Sequence, residues 1–376
     1  MQKILIPIIC LIAFAACKKP EGKNAEQTTM NEVDTILVGT YTNEGSEGIY
    51  KLAFNNNTGS IEGISLATNA TNPTFLAWNE DKTTFYAVNA VDGRGGISSY
   101  AWNNGQTSLT NHLSPEESSP CHVVLSNNGK LAASANYGTG GVAVYSIEGN
   151  GDLGSITGTA FNTGEFGPTS RQKGPHAHCG MFSKDDKFLY IVDLGLDEVL
   201  AYPVADDGSM GEAQSAIKME PGDGPRHMIF NKAGDKAFVV NELSSSVVSF
   251  NVDKSTGKLS VIDRKSTLPE GYTEDSFCAD IHLSPDEKFL YASNRGHNSI
   301  AVYAVANDGK LTLVQIEPEE IVWPRNFMVH PGGKYMLVAN QNANSVTVYS
   351  IDPATGKIAY TGEKVEVSSP VCLAIK

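Results

Sequence analysis

Ser284-Pro285-Asp286-Glu287-Lys288-Phe289-Leu290-Tyr291-Ala292-Ser293-Asn294, followed after a short turn by Ser299-Ile300-Ala301-Val302-Tyr303-Ala304-Val305, is the phrase that decides the fold. A polar turn leads into an apolar strand that ends on Asn, and a second turn leads into an alternating strand. The phrase recurs, with its strand-ending residue at Thr40, Asn89, Asn136, Asp193, Asn241, Asn294 and Asn340, at steps of 46 to 57 residues. Self-similarity at this period, with four strand signals per unit, predicts an all-β, seven-bladed β-propeller of four-stranded blades around a central channel.

Before each recurring strand lies another, often opened by proline: Pro73, Pro120, Pro175, Pro225, Phe277, Pro324 and Pro370 begin the seven. Proline suits a first strand residue because its missing N–H is not yet needed by the ladder. The domain, residues 33–376, starts on a second-type strand at Thr35-Ile36-Leu37-Val38 and finishes on an opening strand, Val371-Cys372-Leu373-Ala374-Ile375. One blade is therefore expected to be shared between the two, closing the ring without a free sheet edge. In such blades the start of the opening strand and the end of the second strand meet at one mouth of the channel.

Residues 1–16 read as a signal peptide, with Lys3, an apolar run from Ile4 to Phe14 and small residues before Cys17. Phe14-Ala15-Ala16-Cys17 resembles a bacterial lipoprotein lipobox, which makes Cys17 the lipidation site, and residues 17–32 read as a flexible tether. The expected location is exported and lipid-anchored, periplasmic or outer-membrane associated, with membrane contact through the anchor only. A formal net charge of −14 argues against nucleic-acid binding through a broad positive face. A closed propeller of this kind is expected to work as a monomer. Cys121, Cys179, Cys278 and Cys372 lie in or beside opening strands, with no Cys-x-x-Cys spacing, and read as small core residues. A Cys121–Cys179 disulfide between neighbouring blades is the alternative.

The expected mouth is where the repeats agree in position and differ in chemistry. Opening strands bring His122, His176, His178, His227 and His282, with Arg226, Asp280, Arg325 and Asn326; second-strand ends bring Glu242 and Arg295. In so acidic a chain this is a cationic pocket, suited to an anionic, polar ligand gripped by paired guanidinium hydrogen bonds. The bland reading, histidines that bond only carbonyls and water, suits one histidine better than a whole register of polar groups. His176-x-His178 with His122 or His227 invites a zinc reading, but the adjacent arginines repel a cation, so no metal is expected. No Gly-x-Ser-x-Gly elbow is present and the glycine-rich turns precede no helix, so neither serine hydrolysis nor a phosphate loop is indicated. Residues 160–174 make the longest step and read as a loop at the mouth, while His112, His297 and His330 read as exposed turn or strand-end residues.

Gly224-Pro225-Arg226-His227-Met228, Val240-Asn241-Glu242-Leu243, Ala279-Asp280-Ile281-His282, Ser293-Asn294-Arg295-Gly296 and Pro324-Arg325-Asn326-Phe327 resemble signatures of the propeller-type 6-phosphogluconolactonases. Gly39-Thr40-Tyr41-Thr42 and Pro120-Cys121-His122-Val123 fit as well, so the resemblance spans about residues 33–376. It implies a seven-bladed propeller that hydrolyses the ring ester of a sugar δ-lactone and needs no cofactor or metal. By that resemblance Glu242, His227 and Arg295 carry the chemistry, with Glu242 or a histidine as general base and Arg295 or His227 on the oxyanion. Arg226, Arg325 and His178 hold an anionic tail, and His122, His176, Asp280, His282 and Asn326 complete the substrate site. An export signal sits badly with a cytosolic sugar phosphate. Another anionic sugar lactone, a non-catalytic binding or scaffold propeller, and a carboxymuconate-type lactonising enzyme therefore stay open.

Overall fold

The computed structural model describes residues 32–115 and 118–376; the expected signal segment, Cys17 and the tether up to residue 31 lie outside the described residues. Seven antiparallel four-stranded sheets follow one another along the chain. Each opening strand packs beside the next, in the order Thr71–Trp78, Pro120–Leu125, Ala177–Phe182, Pro225–Phe230, Phe277–Leu283, Pro324–Val329 and Pro370–Ile375, and the last returns to the first. Pro370–Ile375 pairs with Val33–Thr40, so one sheet draws on both ends of the described domain. Among the described residues, no helix is long and apolar enough to cross a membrane.

The recurring phrase folds the same way each time. In the turn before Phe289, Ser284 Oγ donates to Asp286 Oδ1 at 2.7 Å and accepts the Phe289 N–H at 3.0 Å, while Glu287 takes a left-handed φ of 61°. Ser183-Asp185-Asp186 and Ser126-Asn128-Gly129 repeat these bonds and that conformation. Polar residues that bond their own backbone stabilise such turns, which is why the phrase begins as it does. The strand-ending residue, Asn or Asp in six blades and Thr40 in the seventh, is fully or almost fully buried and ties its strand to neighbouring backbone or side chains, as Asn294 Nδ2 does to Thr267 O at 2.9 Å and Ser299 Oγ at 3.1 Å. Between blades pack the large apolar side chains, among them Tyr190, Phe250, Tyr291 and Phe327.

His330 departs from the exposed position expected of it. It is the turn residue equivalent to Ser284, but it is buried, with Nδ1 accepting from the Gly332 N–H at 3.0 Å and Nε2 facing Asp34 Oδ2 at 2.9 Å. His112 is half-buried, its Nδ1 within 2.9 Å of Ser98 Oγ. The four described cysteines are free thiols, so the Cys121–Cys179 disulfide does not form.

Every opening strand carries a register shift near its start, between Pro225 and His227, for example, or Pro324 and Asn326. The extra residue of the bulge re-aims two successive side chains. The first position of the bulge is held by Thr74, Cys121, His178, Arg226, Ala279, Arg325 and Val371; the second by Phe75, His122, Cys179, His227, Asp280, Asn326 and Cys372. Being innermost, each opening strand is a sheet edge, and alternate N–H groups point away from its ladder.

The second bulge residue of the neighbouring blade meets that need. Leu76 N–H donates to Cys372 Sγ at 3.3 Å, Gly180 N–H to His122 Nδ1 at 3.5 Å, and Leu373 N–H to Asn326 Oδ1 at 2.7 Å. Phe327 N–H reaches Asp280 Oδ2 at 3.3 Å, and the Met228 N–H lies against the Cys179 sulfur. A stranded buried N–H costs about 1–3 kcal/mol, so these contacts hold blade to blade. Asn326→Leu, which strands the Leu373 N–H and takes one of several donors from Asp280, should lower the unfolding free energy by about 2–4 kcal/mol. The adjacent Arg325→Ala should cost less than about 1 kcal/mol. Urea unfolding of the two variants checks this, and equal losses would contradict the stitch.

Candidate active site

At the mouth, six of the seven first bulge positions, Thr74, Cys121, His178, Arg226, Arg325 and Val371, line a small cavity of about 30 Å³, with Phe75, His227, Asn326 and Tyr41 completing it.

Glu242, the residue after strand-ending Asn241, is the hub. Its Oε2 accepts from Arg226 Nε at 3.0 Å and from Arg295 Nη2 at 2.9 Å, and its Oε1 from Arg171 Nη2 at 3.0 Å. Burial pushes the carboxyl up, but Arg295, Arg226, Arg171 and Arg325 overcome it and hold Glu242 at about 2. Arg226 is sealed; burial, Arg295 and Arg325 pull it down to about 10, which leaves it protonated at neutral pH. Arg295 also donates to Cys278 O at 3.0 Å, and its guanidinium lies 5.8 Å over the Trp323 ring. Arg325 is half-buried, donating to Tyr41 OH at 3.1 Å and lying 5.5 Å over that ring.

The histidines divide. His227 Nε2 accepts from Arg226 Nη1 at 3.1 Å, so Nδ1 carries the proton and donates to Asp280 Oδ1 at 2.8 Å. Burial and then Arg226 bring His227 down to about 4, so it is neutral. His178 and His122 are both held well below the usual range, His178 by burial, Arg226 and His227, and His122 by burial and His227. His178 has Nδ1 3.9 Å from Cys121 Sγ, and no described group bonds its Nε2. His122 is spent on the blade stitch and packs at a tilt against Phe75, ring centroids 4.1 Å apart.

Asp280 and Asn326 hold the ring together. Asp280 receives His227, His282 Nε2 at 2.9 Å, the amide of Asn326 and the Ile281 and Phe327 N–H groups. Burial raises its carboxyl, but His282 and His227 hold it well below the ordinary range. His282 therefore meets Asp280, which is not among the residues lining the cavity. His176 does not share a ligand point with His178: it precedes the strand, stacks on Tyr137 at 4.5 Å and donates from Nδ1 to Tyr137 O at 2.7 Å. Among the described residues, no three His, Cys, Asp or Glu side chains form a metal-ligating group.

Three groups escaped the sequence reading. Tyr41 and Tyr137 follow strand-ending Thr40 and Asn136 as Glu242 follows Asn241, so the same rule of register finds them. Arg171 belongs to the long step between blades, which has no counterpart in the repeat.

A family model described as lactonase, 7-bladed beta-propeller, matches residues 35–375. The 6-phosphogluconolactonase of Bacillus subtilis is 34% identical over 339 residues, covering 89% of this chain and 96% of its own. That of Formosa agariphila is 31% identical, covering 86% and 94%. Among solved structures, a periplasmic gluconolactonase of Pseudomonas aeruginosa superposes with a TM-score of 0.85 at 31% identity, covering 91% of this chain and 99% of its own.

The titrations fix a pH dependence of stability. His227 lies below its ordinary 6.5, so its contribution is full above that pH and is lost as pH falls towards 4. Glu242 lies below its ordinary 4.5, so its contribution is full above that and is lost as pH falls towards 2. Thermal unfolding should show Tm falling from pH 6.5 downward, with a second loss below 4.5 that Glu242 and Asp280 share and that Glu242→Gln reduces. An acid limb of the same shape in that variant would refute the assignment.

Proposed function

The chain belongs to the seven-bladed β-propeller lactonase family, and from that premise we propose that it hydrolyses the ring ester of an anionic sugar δ-lactone at the channel mouth. The observation that carries this is a pair of fixed guanidiniums, Arg226 and Arg295, tied to one buried carboxylate oxygen beside a cavity, in a chain of net charge −14. Positive groups that cannot relax away are what a developing oxyanion requires.

The roles of Glu242, His227, His178 and Arg226 differ from the family-based expectation. A carboxyl held at about 2 is too weak a base for neutral water. Glu242 is therefore assigned as a positioning residue for the arginines. His227 has its lone pair committed to Arg226, which makes it part of the same support. His178, which lines the cavity with Nε2 unclaimed by any described group, is assigned on geometry to take the proton of the attacking water; burial and Arg226 keep it neutral and also weaken it as a base. Water oxygen bonds to the carbonyl carbon, the oxyanion forms against Arg226 and Arg295, and its collapse breaks the ring C–O bond. The leaving ring oxygen takes the proton back from His178 and departs as an alcohol.

The location we propose is outside the cytoplasm, on a lipid anchor at Cys17, supported by the apolar run and lipobox-like sequence at residues 4–17. The name of the Pseudomonas aeruginosa protein is consistent with such a setting for this fold. A substrate met there is better sought among uronic-acid and other acidic sugar lactones as well as 6-phosphogluconolactone.

Hydrolysis of 6-phosphogluconolactone, gluconolactone and a uronic-acid lactone, corrected for spontaneous opening, tests the reading. At least one should open enzymatically, insensitive to chelator, and Arg226→Ala should lower kcat by about 10²–10³-fold. His178→Ala should lower it by about 10²–10⁴-fold. No rate above background on all three would favour the binding-propeller reading.

A further inference from the structure

One wall of the mouth has no part in the chemistry just assigned. Arg171 comes from the long inserted loop, whose backbone is pinned beside it: the buried amide of Gln172 donates to Leu194 O at 2.9 Å and Asp197 Oδ1 at 2.6 Å. Asn162 at the loop's start is likewise buried, donating to Asp193 Oδ2 at 2.7 Å and accepting from Tyr202 OH at 2.6 Å. From this fixed base the Arg171 side chain reaches over the mouth and is 46% exposed, against 3% for Arg226 and 7% for Arg295.

Its hydrogen-bonding capacity is mostly unspent. Only Nη2 is engaged, by Tyr137 OH at 3.0 Å and Glu242 Oε1 at 3.0 Å, and no described group accepts from Nε or Nη1. Tyr137 OH accepts from Arg171 and so keeps its own hydrogen for a ligand, while His176 clamps the ring by stacking and by its bond to Tyr137 O. The inner arginines and Arg171 grip opposite oxygens of Glu242. A guanidinium edge and a hydroxyl therefore stand one carboxylate's width from the proposed oxyanion site, facing open mouth rather than the cavity.

We propose that Arg171 and Tyr137 form the subsite for the substrate's distal anionic group, a phosphate or carboxylate, and so set the preference for charged over neutral lactones. The inference rests on the lactonase reading for which end of the ligand meets Arg226. In a hexono-δ-lactone the C6 substituent grows from the ring carbon that bears the ester oxygen, so its anion falls beside the reacting carbonyl and not across the ring. Nε and Nη1 offer the paired donors that phosphate and carboxylate take best. Arg325, which lines the cavity itself and leans on Tyr41, is the competing anion site.

Calorimetric binding of 6-phosphogluconate and gluconate to the full chain separates these. The parent protein should bind 6-phosphogluconate about tenfold more tightly, Arg171→Ala should reduce that ratio below about threefold, and Arg171→Lys should recover part of it. Arg325→Ala should weaken both ligands while keeping the ratio. No preference in the parent, an unchanged ratio in Arg171→Ala, or loss of the ratio in Arg325→Ala instead would each overturn the proposal. A preserved preference with no hydrolysis of any lactone would overturn the lactonase reading and leave this subsite standing.

Discussion

The innermost strand of each blade is a sheet edge facing a narrow channel, and its outward N–H groups must find partners there. The polar ring around the channel follows from that need. Water or side chains can serve, and here the neighbouring blade supplies the acceptor at Cys372, His122, Cys179, Asp280 and Asn326. The bulge at the start of each opening strand makes this geometry available, because it turns two consecutive side chains inward where a regular strand would turn one. The second is drawn into the ring and the first is left to the mouth.

This division explains what the sequence could and could not convey. Period, blade number and strand order were legible because turns, apolar strands and buried Asn or Asp repeat with the same chemistry. The convergence of Arg226, Glu242, Arg295, Arg325 and His178 was legible from register alone. Their roles were not. His122, Asp280 and Asn326 look like functional polar residues in a sequence, and only the direction of their bonds shows that they satisfy backbone. His330 looked like a turn residue on the surface because nothing in its local sequence announces Asp34, almost three hundred residues away, as its partner. Arg171 was hidden for the opposite reason: the repeat places the 160–174 insertion at the mouth but gives no register within it to single out one side chain.

Charge in the site is balanced by geometry more than by count. Four guanidiniums gather on a chain whose overall charge would repel an anion, yet at physiological salt that repulsion fades over about 8 Å. Close to the mouth the local arginines dominate. Glu242 keeps three of them from separating, which is the reason its carboxylate is worth burying despite the cost of desolvation.

The first bulge position has a further meaning when the seven blades are compared. Thr74, Cys121, His178, Arg226, Ala279, Arg325 and Val371 share one backbone environment but almost every class of side chain. Since the stitch beneath carries the fold, the sites outside the charge network, Thr74, Ala279 and Val371, can be rewritten with little penalty in stability, whereas Arg226 is bound to the buried Glu242 and cannot. The ring thus combines a coupled charged arc, Cys121, His178, Arg226 and Arg325, with plain positions at Thr74, Ala279 and Val371, and new specificities can arise at the latter by point changes that never touch the scaffold.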